Sequence, residues 1–319
     1  MSEFEIAKFD FRIEAVETLR LPPYKGSTFR GAFGHAFRRV CCSERRKTCD
    51  DCPLRRRCVY SYVFETPLPD NAEMMRLYPK IPHPFVIEPP LVEQREFPAG
   101  SSLSFGLVLV GGAIQYLPYF VYAFREMGNG GIGRGRGRYE LVEVTASAPS
   151  GRKTTVYSSV SSQTVAGEYP AFTDFGSPSP IPEEVTLEFV TPLRVKFGGR
   201  LARSLPFDVL VRNLLRRISA LSYFHCGRRL DVDFKGLIEK ARAVKLAGSN
   251  LHWRDWERYS SRQDVRMSLG GLLGEVAYSG DLAPFWRYLC IGEYVHLGKA
   301  TAFGLGKYEI VGGQVGRCR

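Results

Sequence analysis

Between Phe29 and Val40 the apolar residues Phe29, Ala32, Phe33, Ala36, Phe37 and Val40 recur at i, i+3, i+4, i+7, i+8 and i+11, the spacing of one stripe along an α-helix. The pattern predicts a helix beginning near Ser27, which reads as its N-cap. Ahead of it, residues 5–14 read as a strand closed by Leu21-Pro22-Pro23. Beyond a cysteine-rich segment, residues 60–65 and 103–110 predict strands, 114–126 a second helix and 138–145 a closing strand. The second half repeats the order: strand 185–197, helix 207–223, strands near 255–260 and 264–278, helix 283–297 and strand 307–311. Strand, helix, strand, strand, helix, strand is the ferredoxin-like order. The expected fold class is therefore α+β, with tandem ferredoxin-like (RRM-like) domains at 1–146 and 184–319 and a four-cysteine metal-binding insertion, about 41–58, in the first. Residues 147–183, rich in Ser, Pro and Gly with a short β-prone piece near 154–158, read as the linker.

A repeated phrase supports the duplication. Gly135-Arg136-Gly137-Arg138-Tyr139-Glu140-Leu141-Val142 is echoed 169 residues later by Gly304-Leu305-Gly306-Lys307-Tyr308-Glu309-Ile310-Val311. Each copy follows a predicted helix and precedes a strand, so it does not open a helix as a dinucleotide-binding turn would. Glycines let a backbone approach a phosphodiester chain closely while neighbouring cations neutralise it. The 319 residues carry 44 Lys plus Arg against 33 Asp plus Glu, a formal charge of +11, which favours a polyanionic partner over an acidic metabolite. No apolar run reaches about 18 residues, and the first ten residues hold acids where a signal peptide has bases. The expectation is a soluble cytoplasmic protein with no membrane partner.

Four constellations bear on chemistry. At 100° per residue His35 lies off the apolar stripe of the first helix, on the side of Gly31 and Arg38, so it does not read as a core histidine. Two glycines inside a helix, Gly31 and Gly34, cost about 1 kcal/mol each and call for compensation by close approach of a ligand or another backbone. RNA can be cut without metal when its own 2′-hydroxyl attacks the adjacent phosphate, given a base, an acid and a cation. Histidine suits either proton role, and Tyr24 and Lys25, at the turn entering the helix, are candidates for a second proton-transfer group and the cation. Cys42, Cys49, Cys52 and Cys58, with Cys41 as an alternative to Cys42, are spaced to enclose a zinc ion or an iron-sulfur cluster that staples a segment too small for its own core. Candidate RNA contacts are Arg30, Arg38 and Arg39 on the first helix, Arg134, Arg136 and Arg138 in the first glycine-rich loop, and Lys299 and Lys307 in the second. Trp253 to Gln263 interleaves aromatics with arginines, which can stack bases or pack a strand. His296 shares a helical face with Phe285, Tyr288, Leu289 and Gly292; it reads as buried and stands second to His35 as the catalytic histidine.

Taken together, Leu21 to Arg39, the Cys42 to Cys58 insertion running into Tyr60 to Glu65, Trp253 to Gln263, and His296 to Val311 resemble the CRISPR-associated RAMP superfamily, and within it the endoribonucleases that process precursor crRNA. The resemblance covers nearly the full length. It implies a CRISPR-repeat-specific endoribonuclease acting by metal-independent 2′-hydroxyl attack, leaving 5′-hydroxyl and 2′,3′-cyclic phosphate ends. It sets His35 where the catalytic histidine is commonly found, with Tyr24 and Lys25 as companions, and favours Cys42 over Cys41. Cleavage needs no cofactor on this reading, and the cysteine-bound metal is structural. The implied partners are CRISPR repeat RNA, precursor crRNA and proteins of CRISPR effector complexes. Sister members bind guide RNA as non-cleaving subunits of those complexes, which is the leading alternative; a metal-cluster redox protein is the second.

Overall fold

The computed structural model describes residues 4–45, 47–69, 81–160, 169–175, 180–255, 257–260, 265–268 and 270–311, without the side chains of 256–269. The chain divides into two compact units, Met1–Thr173 with Ala220–Arg228, and Asp174–Ser219 with Arg229–Arg319.

The first unit contains β1 (Ile6–Ala15), β2 (Leu19–Arg20), α1 (Gly26–Cys41), α2 (Val59–Phe64), β3 (Phe85–Glu88), β4 (Glu96–Phe97), β5 (Ser102–Val110), α3 (Leu117–Gly130), β6 (Tyr139–Ser147) and β7 (Lys153–Ser158). Five strands form one antiparallel sheet in the order β3-β5-β1-β6-β7. Odd-numbered residues of β1 point to the core, where phenylalanines from α1, α3 and the sheet close on one another. Phe33 stacks on Phe124 at 4.5 Å and on Phe120 at 5.3 Å, and Phe11 stacks on Phe105 at 5.0 Å. The opposite face of β1 carries Lys8, Asp10, Arg12 and Glu14, paired in part with Glu88 (2.9 Å) and Glu143 (3.3 Å) on neighbouring strands. That face has none of the aromatic rings with which an RRM sheet stacks bases at its first strand.

The second unit contains β8 (Glu184–Leu193), β9 (Lys196–Phe197), β10 (Arg200–Leu201), α4 (Phe207–His225, whose end from Ala220 belongs to the first unit), α5 (Phe234–Ala243), β11 (Lys245–Ser249), β12 (His252–Arg254), β13 (Glu257–Ser260), β14 (Val265–Ser268), β15 (Gly271–Ser279), α6 (Trp286–Val295) and β16 (Tyr308–Val311). Its main sheet runs β11-β15-β8-β16, all antiparallel. Glu275, Glu188 and Glu309 stand directly opposite one another across three strands, on the face away from buried Leu187 and Phe189. A row of carboxylates repels a polyanion, so this part of the sheet face is a poor surface for nucleic acid.

Several expectations change. Residues 60–64, expected with Glu65 as a strand, belong to α2 instead: the β-prone run Tyr60-Ser61-Tyr62-Val63 is overridden because Phe64 packs on Phe33 and Phe37 at 5.7 and 5.6 Å. The strand filling that position is β3, four buried residues behind a proline. In the second unit the corresponding strand is β11, not residues 255–260. Ser27 is inside α1; the N-cap is Lys25, with no side-chain cap bond. The β-prone piece expected in the linker is β7, hydrogen-bonded to β6 as a fifth strand of the first sheet.

Candidate nucleic-acid interface

The basic side chains of α1 divide between two sides of the helix. Arg30 and Arg38, two turns apart, face α2. The Arg30 guanidinium lies 4.8 Å from the Phe64 ring centre and 3.4 Å from His83 Nε2. Arg38 donates to the carbonyls of Arg45 (3.2 Å) and Lys47 (3.0 Å), so it shapes the cysteine segment. Gly34 serves this side too, since a Cβ there would touch Phe64 at 3.4 Å.

His35 and Arg39 lie on the other side, with Ala32. Together with Met127, Gly130 and Gly131 at the end of α3, and Arg136 from the first glycine-rich loop, they line a cleft of about 370 Å³. The end of α3 organises it. Arg136 donates from Nε (3.1 Å) and Nη2 (2.9 Å) to the carbonyl of Gly130, and Arg39 reaches the carbonyl of Glu126 (3.4 Å). Both guanidiniums thus sit at the negative end of a helix, Arg136 on its last carbonyl and Arg39 one turn earlier. Gly130 lets them approach: a Cβ would meet Arg39 Nη2 at 3.3 Å. The loop reverses through Gly131, Gly133, Gly135 and Arg136, all at positive φ, and closes with an Ile132–Gly137 bridge. His35 is exposed at the cleft, and a Cβ at Gly31, one turn before it, would meet nothing within 4 Å.

The cleft therefore brings together three of the candidates, His35, Arg39 and Arg136. It does not include Tyr24 or Lys25. Lys25 is fully buried, and its ammonium donates to the carbonyls of Val92 (2.6 Å) and Pro23 (3.2 Å), pinning a loop 67 residues away. Burial, then the nearby Arg95, pulls its pKa down. Burial raises the pKa of the Tyr24 hydroxyl. Arg138 is held by Glu17 at 2.9 Å, an exposed pair whose hydrogen bond lowers the pKa of the acid and raises that of the base. Arg134 is exposed, its amide bonded to the Arg20 carbonyl (2.9 Å). His296 is buried at the end of α6 with Nδ1 3.3 Å from the Leu305 carbonyl, which removes it from any solvent-facing site.

The cysteine segment links the two helices: Cys42 is the C-cap of α1 and Cys58 the N-cap of α2. Cys52 N–H donates to the Cys49 carbonyl (3.4 Å), forming the turn a CxxC pair needs, and the five thiols are half-buried and free. Burial raises the Cys41 pKa to about 12, with Cys58 and Cys42 adding to the shift. Among the described residues, however, no three His, Cys, Asp or Glu side chains are arranged as a ready ligand group. The four-thiolate donor set suits zinc or iron and sulfide chemically.

In the second unit the other glycine-rich loop is fixed by Thr191, whose hydroxyl donates to the Gly304 carbonyl (2.8 Å) and accepts from Lys307 N–H (2.8 Å). Lys299 is exposed, and its pKa is lowered by burial of its ammonium and then by Lys196, Arg194 and Arg216. Sequence reasoning missed these three because they come from β9, the end of β8 and α4; only the fold makes them neighbours. Of the Trp253–Gln263 stretch, Trp253 is covered by Arg203 at 4.0 Å and bonded to Asp255 (2.8 Å), while side chains from Trp256 onward lie outside the described residues.

The two glycine-rich loops share one latch. Tyr139 donates its hydroxyl to the Phe124 carbonyl of α3 (2.7 Å), and Tyr308 to the Leu289 carbonyl of α6 (2.6 Å).

Two antiparallel-sheet units of the same chain order, each closing through such a loop, define a Cas6-like fold. A Cas6 product complex aligns with a TM-score of 0.56 at 18% identity, covering 96% of this chain and 100% of that one. Thermus thermophilus Cas6 aligns at 0.54 and 15% identity, covering 98% and 100%. A Cas6-RT-Cas1–Cas2 complex aligns at 0.61 and 13% identity, covering 97% of this chain and 29% of the other. An uncharacterized protein of Archaeoglobus fulgidus is 27% identical over 301 residues, 91% of this chain and 92% of that protein. Residues 187–308 match the model for CRISPR-associated endoribonuclease Cas6. Residues 4–168 match the N-terminal domain model AF_1859_N, and the chain belongs to the family which that model defines. The resemblance to precursor-crRNA processing endoribonucleases, drawn from the sequence, is thereby borne out. Among the described residues no helix is long and apolar enough to cross a membrane.

Proposed function

We infer that the protein is an endoribonuclease that cuts precursor crRNA within CRISPR repeats in the cytoplasm, its two units acting as tandem ferredoxin-like RNA-binding domains. The observation that carries this reading is the cleft of His35, Arg39 and Arg136. The ribose 2′-hydroxyl attacks the adjacent phosphorus, losing its proton; the bond to the 5′-oxygen breaks and that oxygen gains a proton. The products bear a 2′,3′-cyclic phosphate and a 5′-hydroxyl. His35 handles one of the two protons, and the Arg39 and Arg136 guanidiniums offset charge on the five-coordinate phosphorus. This set needs no divalent ion at the reaction centre. Lys25 acts structurally on this reading, and RNA runs over loops and helix ends because carboxylates line the second sheet.

Purified protein is incubated with labelled repeat RNA in excess EDTA. Cleavage should persist, the upstream product should carry the mass of a cyclic phosphate, and His35→Ala should cut about 10²–10⁴ times more slowly while binding RNA as before. Loss of cutting in EDTA, or an unimpaired His35→Ala, overturns the mechanism. A wild-type chain that binds repeat RNA without cutting is a guide-RNA-binding subunit instead.

The same reading gives the segment from Cys42 to Cys58 a structural metal held by Cys42, Cys49, Cys52 and Cys58. Such an ion would fix a segment whose Leu54 is exposed and whose described residues add none to the buried apolar core. Proteins of CRISPR effector complexes are the expected protein partners, and a Cas6-RT-Cas1–Cas2 complex among the structural relatives supports association with other CRISPR proteins.

A further inference from the structure

The hairpin between β8 and α4 is thin, open and unlike its surroundings. Lys196 and Phe197 pair with Leu201 and Arg200 across a two-residue turn, Gly198-Gly199, at φ 57° and 82°. Positive φ at both central residues fits the tight turn that keeps a two-stranded ribbon twisted correctly. A Cβ on either glycine would meet nothing within 4 Å, so the tip projects from its unit. Beside it, Phe197 is 54% exposed. More than half of this phenylalanine is left uncovered by its own unit.

Alternate residues of a strand face opposite ways, and directly paired residues face the same way. Phe197 and Arg200 therefore share one face of the ribbon, and Lys196 points to the other. On that second face Lys196 comes within hydrogen-bonding reach of Lys299, with Arg194 and Arg216 close enough to act on the same ammonium. The second glycine-rich loop holds this arrangement: Gly298 bridges to Arg194, and Lys299 N–H donates to the Arg194 carbonyl (2.8 Å). Like charges so gathered repel, and an anion set between them turns repulsion into attraction. An aromatic ring beside a cation on one face, and a cation cluster on the other, match a base and a neighbouring phosphodiester of a strand that crosses the open tip.

We propose that this hairpin and the Lys299 loop form a subsite for a short unpaired stretch of the RNA strand passing over the hairpin tip, with Phe197 and Arg200 stacking a base on one face and Lys196 and Lys299 holding a neighbouring phosphodiester on the other, in the positive field of Arg194 and Arg216. The subsite rests on the reading of the protein as an RNA-binding endoribonuclease and adds to it a named stacking residue far in sequence from the cleft. It selects single-stranded over base-paired RNA, because only an unpaired base offers its ring.

The test uses the full-length chain and two probes, a fluorescent single-stranded oligoadenylate of about 10 nucleotides and inorganic polyphosphate, which has charge but no base. Phe197→Ala should weaken oligoadenylate binding by roughly 5- to 150-fold, the range of one base-aromatic stack, and leave polyphosphate binding unchanged. Phe197→Trp should restore it. Lys196→Gln and Lys299→Gln should weaken both probes and each lower the slope of log affinity against log salt by about 1. Equal oligoadenylate affinity for wild type and Phe197→Ala overturns the subsite, as does an equal loss for both probes. Cleavage of repeat RNA by the wild type is measured alongside: its absence overturns the endonuclease reading, whereas the Phe197 result tests the subsite alone.

Discussion

Changing Gly292 to Ala and Tyr308 to Phe, singly and together, tests the latch behind the second glycine-rich loop. In α6 a Cβ on Gly292 would collide first with the Tyr308 hydroxyl, and would lie 2.9 Å from Tyr308 Cζ and 2.8 Å from Leu214 Cδ1. Such overpacking costs about 1–3 kcal/mol, offset by about 1 kcal/mol from replacing glycine inside a helix. Tyr308→Phe removes the buried bond to the Leu289 carbonyl, a loss of about 1 kcal/mol. In the double variant the first obstacle is gone and the leucine methyl can turn aside. The double should therefore be less destabilised than the sum of the singles, by a coupling of about 1–2 kcal/mol. The first unit supplies an internal control. There a Cβ on Gly128 would strike the backbone carbonyl of Tyr139 first and its ring at 2.8 Å, while the hydroxyl bonds elsewhere, to Phe124. Tyr139→Phe cannot relieve that clash, so Gly128→Ala and Tyr139→Phe should add. Denaturant midpoints at constant m-value, with amide exchange in α6 and α3, read both cycles. Equal coupling in the two copies, or none at Gly292, would refute the latch geometry.

Other outcomes follow from the same structure. Lys25→Met should lower the denaturant midpoint by removing the donor to two loop carbonyls, yet leave cleavage by the folded fraction near wild type; a catalytic Lys25 would lose cleavage without losing stability. Because the Lys299 pKa is depressed, by burial first and Lys196 next, its charge is lost on raising pH before an ordinary lysine would lose it. RNA affinity should fall through that window, and Lys299→Arg should move the fall to higher pH, as binding titrations would show. Cys49→Ser with Cys52→Ser should abolish a near-stoichiometric metal content measured on wild type, and increase proteolysis around residues 42–58. Gly31→Ala should raise stability by up to about 1 kcal/mol and slow RNA cleavage, read by thermal unfolding and single-turnover rates.

What the sequence made legible was local. The apolar stripe of α1 predicted the helix and its buried Phe29, Phe33, Ala36 and Phe37, and the eight-residue repeat exposed the duplicated loop and strand. Neither revealed why tyrosine occupies both copies, because its partners, Phe124 and Leu289, are carbonyls that any residue would supply. Lys25 looked like a free cation beside a histidine helix; the carbonyl that absorbs it belongs to Val92, which no local pattern connects to residue 25. The strand β3 was hidden for a related reason, since three apolar residues and a glutamate behind prolines are too short to show a period, while the longer β-prone run before them was claimed by α2.

The two glycines of α1 show how packing and function separate on one helix. Each weakens the helix by about 1 kcal/mol relative to alanine. At Gly34 the compensation is internal, because Phe64 packs where the side chain would be, and with it Arg30 and Arg38 are drawn to the α2 side. At Gly31 nothing of this kind exists, for the space above it is empty, and the residues one and two turns on are His35 and Arg39. The helix is thus committed to its own core and to the cysteine segment on one side, and left low, basic and histidine-bearing on the other. A loss of stability with no return inside the fold is offset by contact with something outside it, and a ribose-phosphate backbone laid along that open face would bring a phosphate to the cleft of His35, Arg39 and Arg136.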